Sequence, residues 1–380
     1  MDLCGDCVKR CLLIPMLVVL IFCSSLPVSA LSVSAQSAVV INGVTGEVIW
    51  QKNCEERLAM ASTTKIMTAL LLCENADLDE TIVTTADMVT VEGSSMGLLA
   101  GDTVSYRDLL YGMLLASGND AANTVAIAIG GSVENFVAMM NERAGEMGLA
   151  NTHFETPSGL DGDKHYSTAR DMALLARCAL ENADFAAACS SEYATLCYGN
   201  PPYKRTLKNH NRLLGGYPGV IGVKTGFTKK AGRCLVTAAK RDDAYVIAVT
   251  LHAPDDWQDH KALLDYGFSA LTTRRVKAAV PESVPVAGGR KDSAKVSCTL
   301  PDVSLTDEEL KGLATEVIMP PFVYAPVQKG DVVGQVQLRL GEKEIARCDI
   351  LAAESVDRQE SPPAIRKIFD LFIMLLKAMV

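Results

Sequence analysis

The sequence predicts an α/β (α+β) chain: one domain with a mainly antiparallel sheet and a helical insert, followed by a small all-β domain. Three observations predict this fold. Strand-like runs occur near both ends of the first 272 residues, helices with recognisable N-terminal caps fill the middle, and apolar and polar residues alternate over 282–352. Strands from the two ends of a domain need each other to close one sheet, so the helices between them form an insert.

Composition and charge limit the possible functions. Of the 380 residues, 49% are apolar and 21% are charged, which suits folded domains with a sizeable core. The formal net charge at pH 7 is -9, and the sequence has no long cluster of lysine and arginine. A nucleic-acid partner needs a basic face for its phosphates, so we expect no nucleic acid as a partner.

The N-terminus is typical of a secretory signal peptide. Two basic residues precede the apolar run Cys11–Cys23, and small-residue triplets that suit a signal peptidase end at Ala30 and at Ala35. The run is shorter than the roughly 20 residues that a spanning helix needs, which favours cleavage over an uncleaved anchor. We therefore predict a signal peptide over 1–35 and an exported protein.

The cysteines and histidines indicate no metal site. Eight of the twelve cysteines follow the signal peptide, and none of them forms a Cys-x-x-Cys pair. The five histidines lack ligand spacing as well, so we predict no metal and no cofactor. Export permits disulfides, for which Cys298 with Cys348 or Cys189 with Cys197 are candidate pairs. Buried free thiols are an equal alternative.

The first domain begins with two short strands and a buried helix. The runs 38–42 and 47–51 flank a Thr-Gly turn and predict a hairpin. The stretch from Thr63 to Glu74 is apolar on nearly every side, as a helix must be when it is buried all round. We expect this helix to run through the centre of the domain.

Helices follow over about 103–190, and strands return after them. Ser105, Ser132 and Thr168 each stand where a helix N-cap is expected, with a polar or acidic residue shortly after. Strand character then returns in three runs: 220–223, 234–239 and 244–251. These strands complete the domain, which we place at residues 36–272.

Two further segments follow the first domain. Alternation with period two over 282–352 predicts half-buried strands and hence the small β domain. The segment 364–380 carries four charges among large apolar residues, and a helix would gather Arg366, Asp370 and Lys377 on one stripe. Its length of about 25 Å is too short to span a bilayer but suits its surface. We predict an amphipathic membrane-anchor helix, with packing on the β domain as the alternative.

Three short motifs carry the chemistry. Ser62-Thr-Thr-Lys65 opens the buried helix and places its serine and lysine on one helix face. The lysine can take the serine proton if burial and nearby cations keep it neutral. Ser117-Gly-Asn119 lies in a break between two helices, and Lys224-Thr-Gly226 continues a strand. Each alone is a plausible helix cap or strand end; together, in this order, they indicate a catalytic site.

In this combination the chain resembles the penicillin-binding proteins and class A β-lactamases, whose signature is S-x-x-K, S-D-N and K-T-G. The stretches 61–68, 115–122 and 165–173 make it most similar to the low-molecular-mass D-Ala-D-Ala carboxypeptidases, peptidase family S11. The resemblance implies the serine β-lactamase/penicillin-binding-protein-like fold. It also implies removal of the terminal D-alanine from peptidoglycan stem peptides through an acyl-enzyme, with β-lactam antibiotics as covalent inhibitors.

The resemblance assigns catalytic roles to four residues. Ser62 would attack the carbonyl between the two D-alanines, and Lys65 would act as the base. Ser117, together with Lys224, would pass the proton to the leaving D-alanine.

It assigns substrate binding to the residues around them. Asn119 would hold the substrate amide, and Thr225 would bind the terminal carboxylate beside Gly226. The backbone N–H of Phe227 would form the oxyanion hole with that of Ser62.

The chain departs from the family at two points. Phe227 stands where many relatives have histidine, and 253–257 lacks an arginine that many relatives carry after the last core strand. Arg233 could compensate, although an exposed charge on a strand is the simpler interpretation.

Other functions remain as alternatives. A D,D-endopeptidase would use the same residues, whereas a class A β-lactamase would have no use for the β domain or the terminal helix. A non-catalytic peptidoglycan-binding protein would not need Ser62 and Lys65. We expect the enzyme on the outer face of the cytoplasmic membrane, held to the membrane surface by its C-terminal helix.

Overall fold

A computed structural model of the chain describes residues 31–360 and 363–378. The predicted signal peptide lies outside the described residues up to residue 30, and so do the last two residues of the predicted anchor helix. Within the described part, the fold is the predicted one: a mixed α/β domain built on antiparallel sheets, followed by a β domain.

The main sheet joins strands from both ends of the first domain. Its strands are β1 (Ser37–Asn42), β2 (Val48–Lys52), β7 (Val220–Thr228), β8 (Gly232–Arg241) and β9 (Ala244–Leu251). Their order is β2-β1-β9-β8-β7, and every pair is antiparallel. β1 pairs with β9 from Ser37 opposite Leu251 to Asn42 opposite Val246, which confirms that the two chain ends close one sheet.

The helices pack between and against the strands. They are α1 (Lys65–Asn75), α2 (Ala86–Val89), α3 (Tyr106–Leu114), α4 (Asn119–Gly130), α5 (Val133–Glu146), α6 (Ala169–Ala179), α7 (Ala183–Ser190) and α8 (Asp256–Ala270). A 3₁₀ turn, Ala61–Thr64, leads into α1. Eight consecutive residues of α1, from Lys65 to Leu72, are buried, so this helix is central as predicted.

The three predicted N-caps are confirmed. The side chain of Ser105 accepts a hydrogen bond from the backbone N–H of Asp108, and Ser132 and Thr168 do the same at the starts of α5 and α6. Each cap satisfies a backbone N–H that has no partner within its helix. These bonds fix where the helices of the insert begin.

The helices predicted over about 103–190 are present, but a second sheet beside them was not predicted. Its four strands are β3 (Thr81–Val83), β4 (Thr103–Ser105), β5 (Tyr193–Gly199) and β6 (Pro202–Lys208), in that order, and β4 lies at the start of the predicted helical region. β3 and β4 have three residues each, too few for a visible alternation. β6 is largely exposed on both faces, so its apolar pattern is weak as well.

The first domain begins before residue 36. Val33 and Ala35 are buried, and the carboxylate of Asp259 accepts hydrogen bonds from the backbone N–H groups of Ser34 and Ala35. Lys52 donates to the carbonyl oxygens of Val33 and Ala35. The last residues of the predicted signal peptide are therefore packed into the folded domain.

The second domain is a β structure with its own core. Its elements are β10 (Thr272–Arg275), β11 (Ser283–Ala287), β12 (Ser293–Ser297), β13 (Asp302–Leu305), α9 (Asp307–Gly312), β14 (Leu313–Ile318), β15 (Val323–Tyr324), β16 (Val332–Leu340) and β17 (Lys343–Ala352). Six strands form a sheet in the order β14-β16-β17-β12-β11-β15, while β10 pairs with β13. The helix α9 corrects the all-β prediction, and a capping box between Thr306 and Glu309 stabilises it.

Glu309 also joins the two domains. Its carboxylate accepts hydrogen bonds from Thr45 Oγ1 at 2.5 Å and from Asn42 Nδ2 at 3.3 Å. Lys343 donates to the carbonyl of Thr45. The turn after β1 is thus fastened to the β domain.

The last described element is α10 (Pro363–Ala378). Its large apolar side chains from Ile368 to Leu376 are between 41% and 72% exposed, so they are not buried against the β domain. No helix among the described residues is long and apolar enough to cross a membrane. The eight cysteines after residue 30 are free thiols, and neither candidate disulfide is formed.

Candidate active site

A cleft of about 450 Å³ opens between strand β7, the 3₁₀ turn before α1 and the loop before α4. Ser62, Ser117 and Thr225 line it together. The three predicted motifs, distant in sequence, therefore meet at one place in the fold.

Ser62 and Lys65 are in direct contact. Ser62 lies in the 3₁₀ turn and Lys65 begins α1, and Lys65 Nζ is 3.0 Å from Ser62 Oγ. Lys65 also donates to Asn119 Oδ1 at 2.7 Å and to the carbonyl of Ser158 at 2.6 Å. A neutral amine can make both of these donations and still direct its lone pair at the Ser62 hydroxyl.

The surroundings of Lys65 favour its neutral form. The side chain is fully buried, and burial lowers its pKa well below the usual value of 10.5. The charge of Lys224 lowers the pKa further, whereas Asp120 acts in the opposite direction. A neutral amine at 3.0 Å can accept the proton of the Ser62 hydroxyl.

Ser117 and Lys224 form a second pair across the cleft. Lys224 Nζ donates to Ser117 Oγ at 3.0 Å and to the carbonyl of Thr225 at 2.9 Å. Burial lowers the pKa of Lys224 to about 7. Ser117 has a left-handed backbone with φ of 59°, a strained conformation for a serine that aims its hydroxyl from the loop into the cleft.

Asn119 links the two helical motifs. Its Oδ1 accepts from Lys65, and its Nδ2 donates to the carbonyl of Glu92 at 2.7 Å. Both ends of the amide therefore have protein partners, and the side chain positions Lys65. Its role in holding the substrate amide stays a prediction.

Strand β7 brings backbone groups close to Ser62. A Cβ atom on Gly226 would lie 3.0 Å from the backbone nitrogen of Ser62, so any larger residue would push the strand and the turn apart by a few tenths of an ångström. The carbonyl of Thr225 faces the cleft, where it accepts from Lys224. Because backbone groups on a strand repeat their direction every second residue, the N–H of Phe227 faces the cleft too. Its role in the oxyanion hole stays a prediction.

Asp120 supports the site, although no motif pointed to it. This buried carboxylate accepts from the backbone N–H groups of Met96, Gly97 and Leu98, and from Ser95 Oγ at 2.6 Å. These bonds hold the loop 94–98 against the start of α4. Asp120 directly follows Asn119 in the second motif, which is the only signal the sequence offers.

Two other residues act on the Ser62 turn from a loop before α6. Ser158 supplies a carbonyl to Lys65, and His165 Nε2 lies 2.8 Å from Thr64 Oγ1. Burial lowers the pKa of His165 to about 4, so its ring is neutral at pH 7 and forms a fixed hydrogen bond. A carbonyl ligand such as that of Ser158 has no side-chain signature in a sequence.

Arg233 is a strand charge with a side chain that is 41% exposed, and it has further contacts that the sequence did not predict. The residue lines the cleft together with Thr225, and its Nε donates to the buried carboxylate of Asp256 at 2.8 Å. Trp257 also lines the cleft. No group of three or more potential metal ligands occurs within residues 31–360 and 363–378.

The fold and the paired Ser–Lys geometry define a serine peptidase of the penicillin-binding type. The family model for D-alanyl-D-alanine carboxypeptidase matches residues 25–255, and the model for the C-terminal domain of penicillin-binding protein 5 matches residues 272–358. The chain belongs to the D-alanyl-D-alanine carboxypeptidase family, peptidase family S11.

Individual relatives agree with this assignment. The chain is 35% identical to the D-alanyl-D-alanine carboxypeptidase DacF of Bacillus subtilis, covering 87% of this chain and 88% of that protein. It is 33% identical to DacC of Escherichia coli, covering 88% of each. Penicillin-binding protein 5 from Haemophilus influenzae superposes with a TM-score of 0.63 at 28% identity, covering 87% of this chain and 100% of that one. The predicted family and fold are confirmed.

Proposed function

We propose that this enzyme removes the terminal D-alanine from peptidoglycan pentapeptides through an acyl-enzyme on Ser62. The observation that carries the proposal is the 3.0 Å contact between Ser62 Oγ and the fully buried Lys65 amine. A serine hydroxyl becomes a strong nucleophile only beside a base, and burial provides one by keeping the lysine neutral.

In the first step, Ser62 Oγ attacks the carbonyl carbon between the two D-alanines while Lys65 takes the hydroxyl proton. The backbone N–H groups of Ser62 and Phe227 stabilise the negative oxygen that forms, a contribution of about 3 kcal/mol per donor. The carbon–nitrogen bond then breaks. The proton that Lys65 took passes through the hydroxyl of Ser117, which is bonded to Lys224, to the leaving amine, so D-alanine departs and Lys65 is neutral again.

In the second step, water attacks the ester carbonyl and Lys65 accepts a water proton. The ester bond breaks, Ser62 recovers its hydroxyl proton, and the shortened peptide leaves. β-Lactams enter at the first step, because opening their ring acylates Ser62 without releasing a leaving group that could diffuse away. Penicillin binding and peptide hydrolysis thus share one nucleophile.

The experiment is to measure D-alanine release from a pentapeptide ending in D-Ala-D-Ala, with the Ser62→Ala variant for comparison. Ser190→Ala is the matched control, since the hydroxyl of this exposed serine bonds only to the carbonyl of Ala187 within its own helix. Release should vanish in Ser62→Ala and persist in Ser190→Ala. Failure of the wild-type enzyme to release D-alanine would contradict the proposal.

Two measurements separate the alternatives that share the site. Release of a cross-linked dimer's stem peptides without D-alanine release would identify a D,D-endopeptidase. Fluorescent penicillin should remain bound to Ser62 for minutes; rapid loss of the label would indicate a β-lactamase-like hydrolase, and no label at all a binding protein.

The proposed location is the outer face of the cytoplasmic membrane. The charge and apolar pattern of the N-terminus supports export, and cleavage after Ala30 rather than Ala35 preserves the hydrogen bonds from Ser34 to Asp259. N-terminal sequencing of the exported protein should therefore begin at Leu31. A start at Gln36 would contradict this reasoning.

The exposed apolar side chains of α10 support membrane attachment at this surface. Deleting 364–380 should move the protein to the soluble fraction, and Phe369→Asp with Phe372→Asp should do the same without shortening the chain. Lys367→Gln, at an exposed polar position of the helix, is the control and should stay bound. Membrane retention after deletion would refute the anchor.

A further inference from the structure

We propose that the β domain makes a second contact with the membrane surface, through residues 317–327, which lie beside the start of α10. This segment is called the apolar tip. The inference rests on the proposed attachment of α10 to the membrane, because that helix brings the β domain to a bilayer. The composition, the position and the prolines of the apolar tip fit a lipid surface.

The apolar tip is uncharged and exposed. It contains no aspartate, glutamate, lysine or arginine. Ile318, Phe322 and Tyr324 are 45%, 44% and 74% exposed, and the rings of Phe322 and Tyr324 meet edge to face with their centroids 5.3 Å apart. Single exposed apolar side chains are common on protein surfaces, but a contiguous cluster of this kind marks an interaction site.

The apolar tip lies where the chain leaves the β domain for α10. Tyr324 on β15 pairs with Ala287 on β11, and the following residue, Gly288, accepts a hydrogen bond from the backbone N–H of Gln359 at 2.8 Å. Since paired strands are about 4.8 Å apart, Tyr324 and Gln359 are separated by roughly 10 Å. The few residue steps from Gln359 to Pro363, the start of α10, reach at most about 14 Å. A bilayer that holds α10 is therefore within reach of the apolar tip.

The prolines of the apolar tip favour lipid over a second protein strand. β15 is at the edge of its sheet, where another strand could otherwise pair. Pro320, Pro321 and Pro326 stand on both sides of this short strand, and a proline has no N–H to donate to a strand partner. Phenylalanine and tyrosine suit the boundary between headgroups and acyl chains, because the rings enter an apolar layer while the tyrosine hydroxyl stays in contact with water.

A second contact fixes the orientation of the enzyme on the membrane. An amphipathic helix alone binds reversibly and leaves the domain that precedes it free to rotate about the helix start. The apolar tip belongs to a folded sheet, so its contact restrains that rotation. Because α10 keeps the tip close to the surface, the second contact forms at a high effective concentration and strengthens binding.

The first test measures how the mature full chain partitions between buffer and vesicles of phosphatidylcholine, alone or mixed with phosphatidylglycerol. Phe322→Ser with Tyr324→Ser should weaken partition about tenfold, because two aromatic rings no longer enter the lipid. The loss should be the same on both kinds of vesicle, since the apolar tip is uncharged. Val83→Ser with Leu99→Ser is the matched control, which removes two exposed apolar side chains from the first domain and should leave partition unchanged.

The second test uses the wild-type chain and so does not depend on the folding of a variant. Hydrogen exchange should be several-fold slower at the backbone amides of the apolar tip when the chain is bound to vesicles than when it is free. The exposed strand β6 in the first domain is the internal reference. Its amides should exchange at the same rate in both samples.

Three results would overturn the assignment. Vesicle binding without slower exchange in the apolar tip would mean that α10 alone contacts the membrane. Slower exchange that appears without vesicles and grows with protein concentration would assign the tip to an interface between copies of the chain. An equal loss of partition in the two double variants would show that the effect is not specific to the tip. Failure of the wild-type chain to bind either kind of vesicle would instead refute the proposed membrane attachment itself.

Discussion

Replacing Lys224 by methionine should make this enzyme more stable and much less active. The side chain is fully buried, and its pKa of about 7 lies below the ordinary value of 10.5. An unfolded chain therefore binds more protons than the folded one between these two pH values, and folding stability must rise with pH across that window. At neutral pH, the buried Lys224 therefore lowers the free energy of unfolding. A neutral side chain of similar length should raise it again.

The magnitude follows from the pKa and the contacts. A fall of the pKa from 10.5 to about 7 corresponds to about 5 kcal/mol. Methionine loses the hydrogen bonds to Ser117 Oγ and to the Thr225 carbonyl, which together contribute about 2 kcal/mol. The net gain at pH 7 is therefore about 3 kcal/mol, or roughly 6–12 °C in Tm for a domain of this size.

Denaturant unfolding of wild-type and Lys224→Met protein at pH 7 and pH 10 measures the effect, with D-alanine release in parallel. The gain should be present at pH 7 and should disappear or reverse at pH 10, while kcat/KM falls by about 100-fold or more. Lys204→Met, at an exposed position on β6, controls for the loss of a positive charge. A stability difference that stays constant from pH 7 to pH 10 would refute the reasoning.

Two further variants test how the segments around the site are supported. Gly159→Ala should slow acylation by penicillin at least tenfold, because a Cβ atom at this position would overlap the Ala61 carbonyl. Gly148→Ala is the control for backbone strain, since Gly148 has a similar positive φ but open space around it. Asp120→Asn should cost about 2 kcal/mol in unfolding, since three backbone N–H groups donate to this carboxylate. Removing its charge should also lower the Lys65 pKa and shift the acid limb of the pH–acylation profile to lower pH, and an upward shift would contradict the assignment.

Local patterns were sufficient to predict much of the fold. The capping residues Ser105, Ser132 and Thr168 act within one helical turn, so their sequence neighbours determine their role. The pairing of β1 with β9 followed from the need of both strands for a partner. The short strands β3 and β4 were missed because each has only three paired residues, too few to show an alternation of apolar and polar residues. Their extended conformation depends on pairing with neighbouring strands.

Only those site residues that belong to one of the three sequence motifs could be predicted. Spacing alone placed Lys65 beside Ser62, because residues three apart share a helical face. The Ser158 carbonyl and the Asp256 partner of Arg233 depend on tertiary contacts 93 and 23 residues apart. The ion pair of Arg233 was missed for the same reason, because Asp256 comes from a helix start that follows two strands further along the chain.

The Ser62 turn shows why the motifs and their support cannot be separated. Gly226 lies against the Ser62 backbone nitrogen, and Gly159 lies against the Ala61 carbonyl. The turn therefore packs between two segments, and in each of them the residue at the contact is a glycine. This close packing excludes water from Lys65 and brings it against three acceptors. The reactivity of Ser62 depends on a neutral Lys65, and that neutrality comes from burial. The glycines that permit burial are therefore as necessary for the chemistry as the residues that carry it.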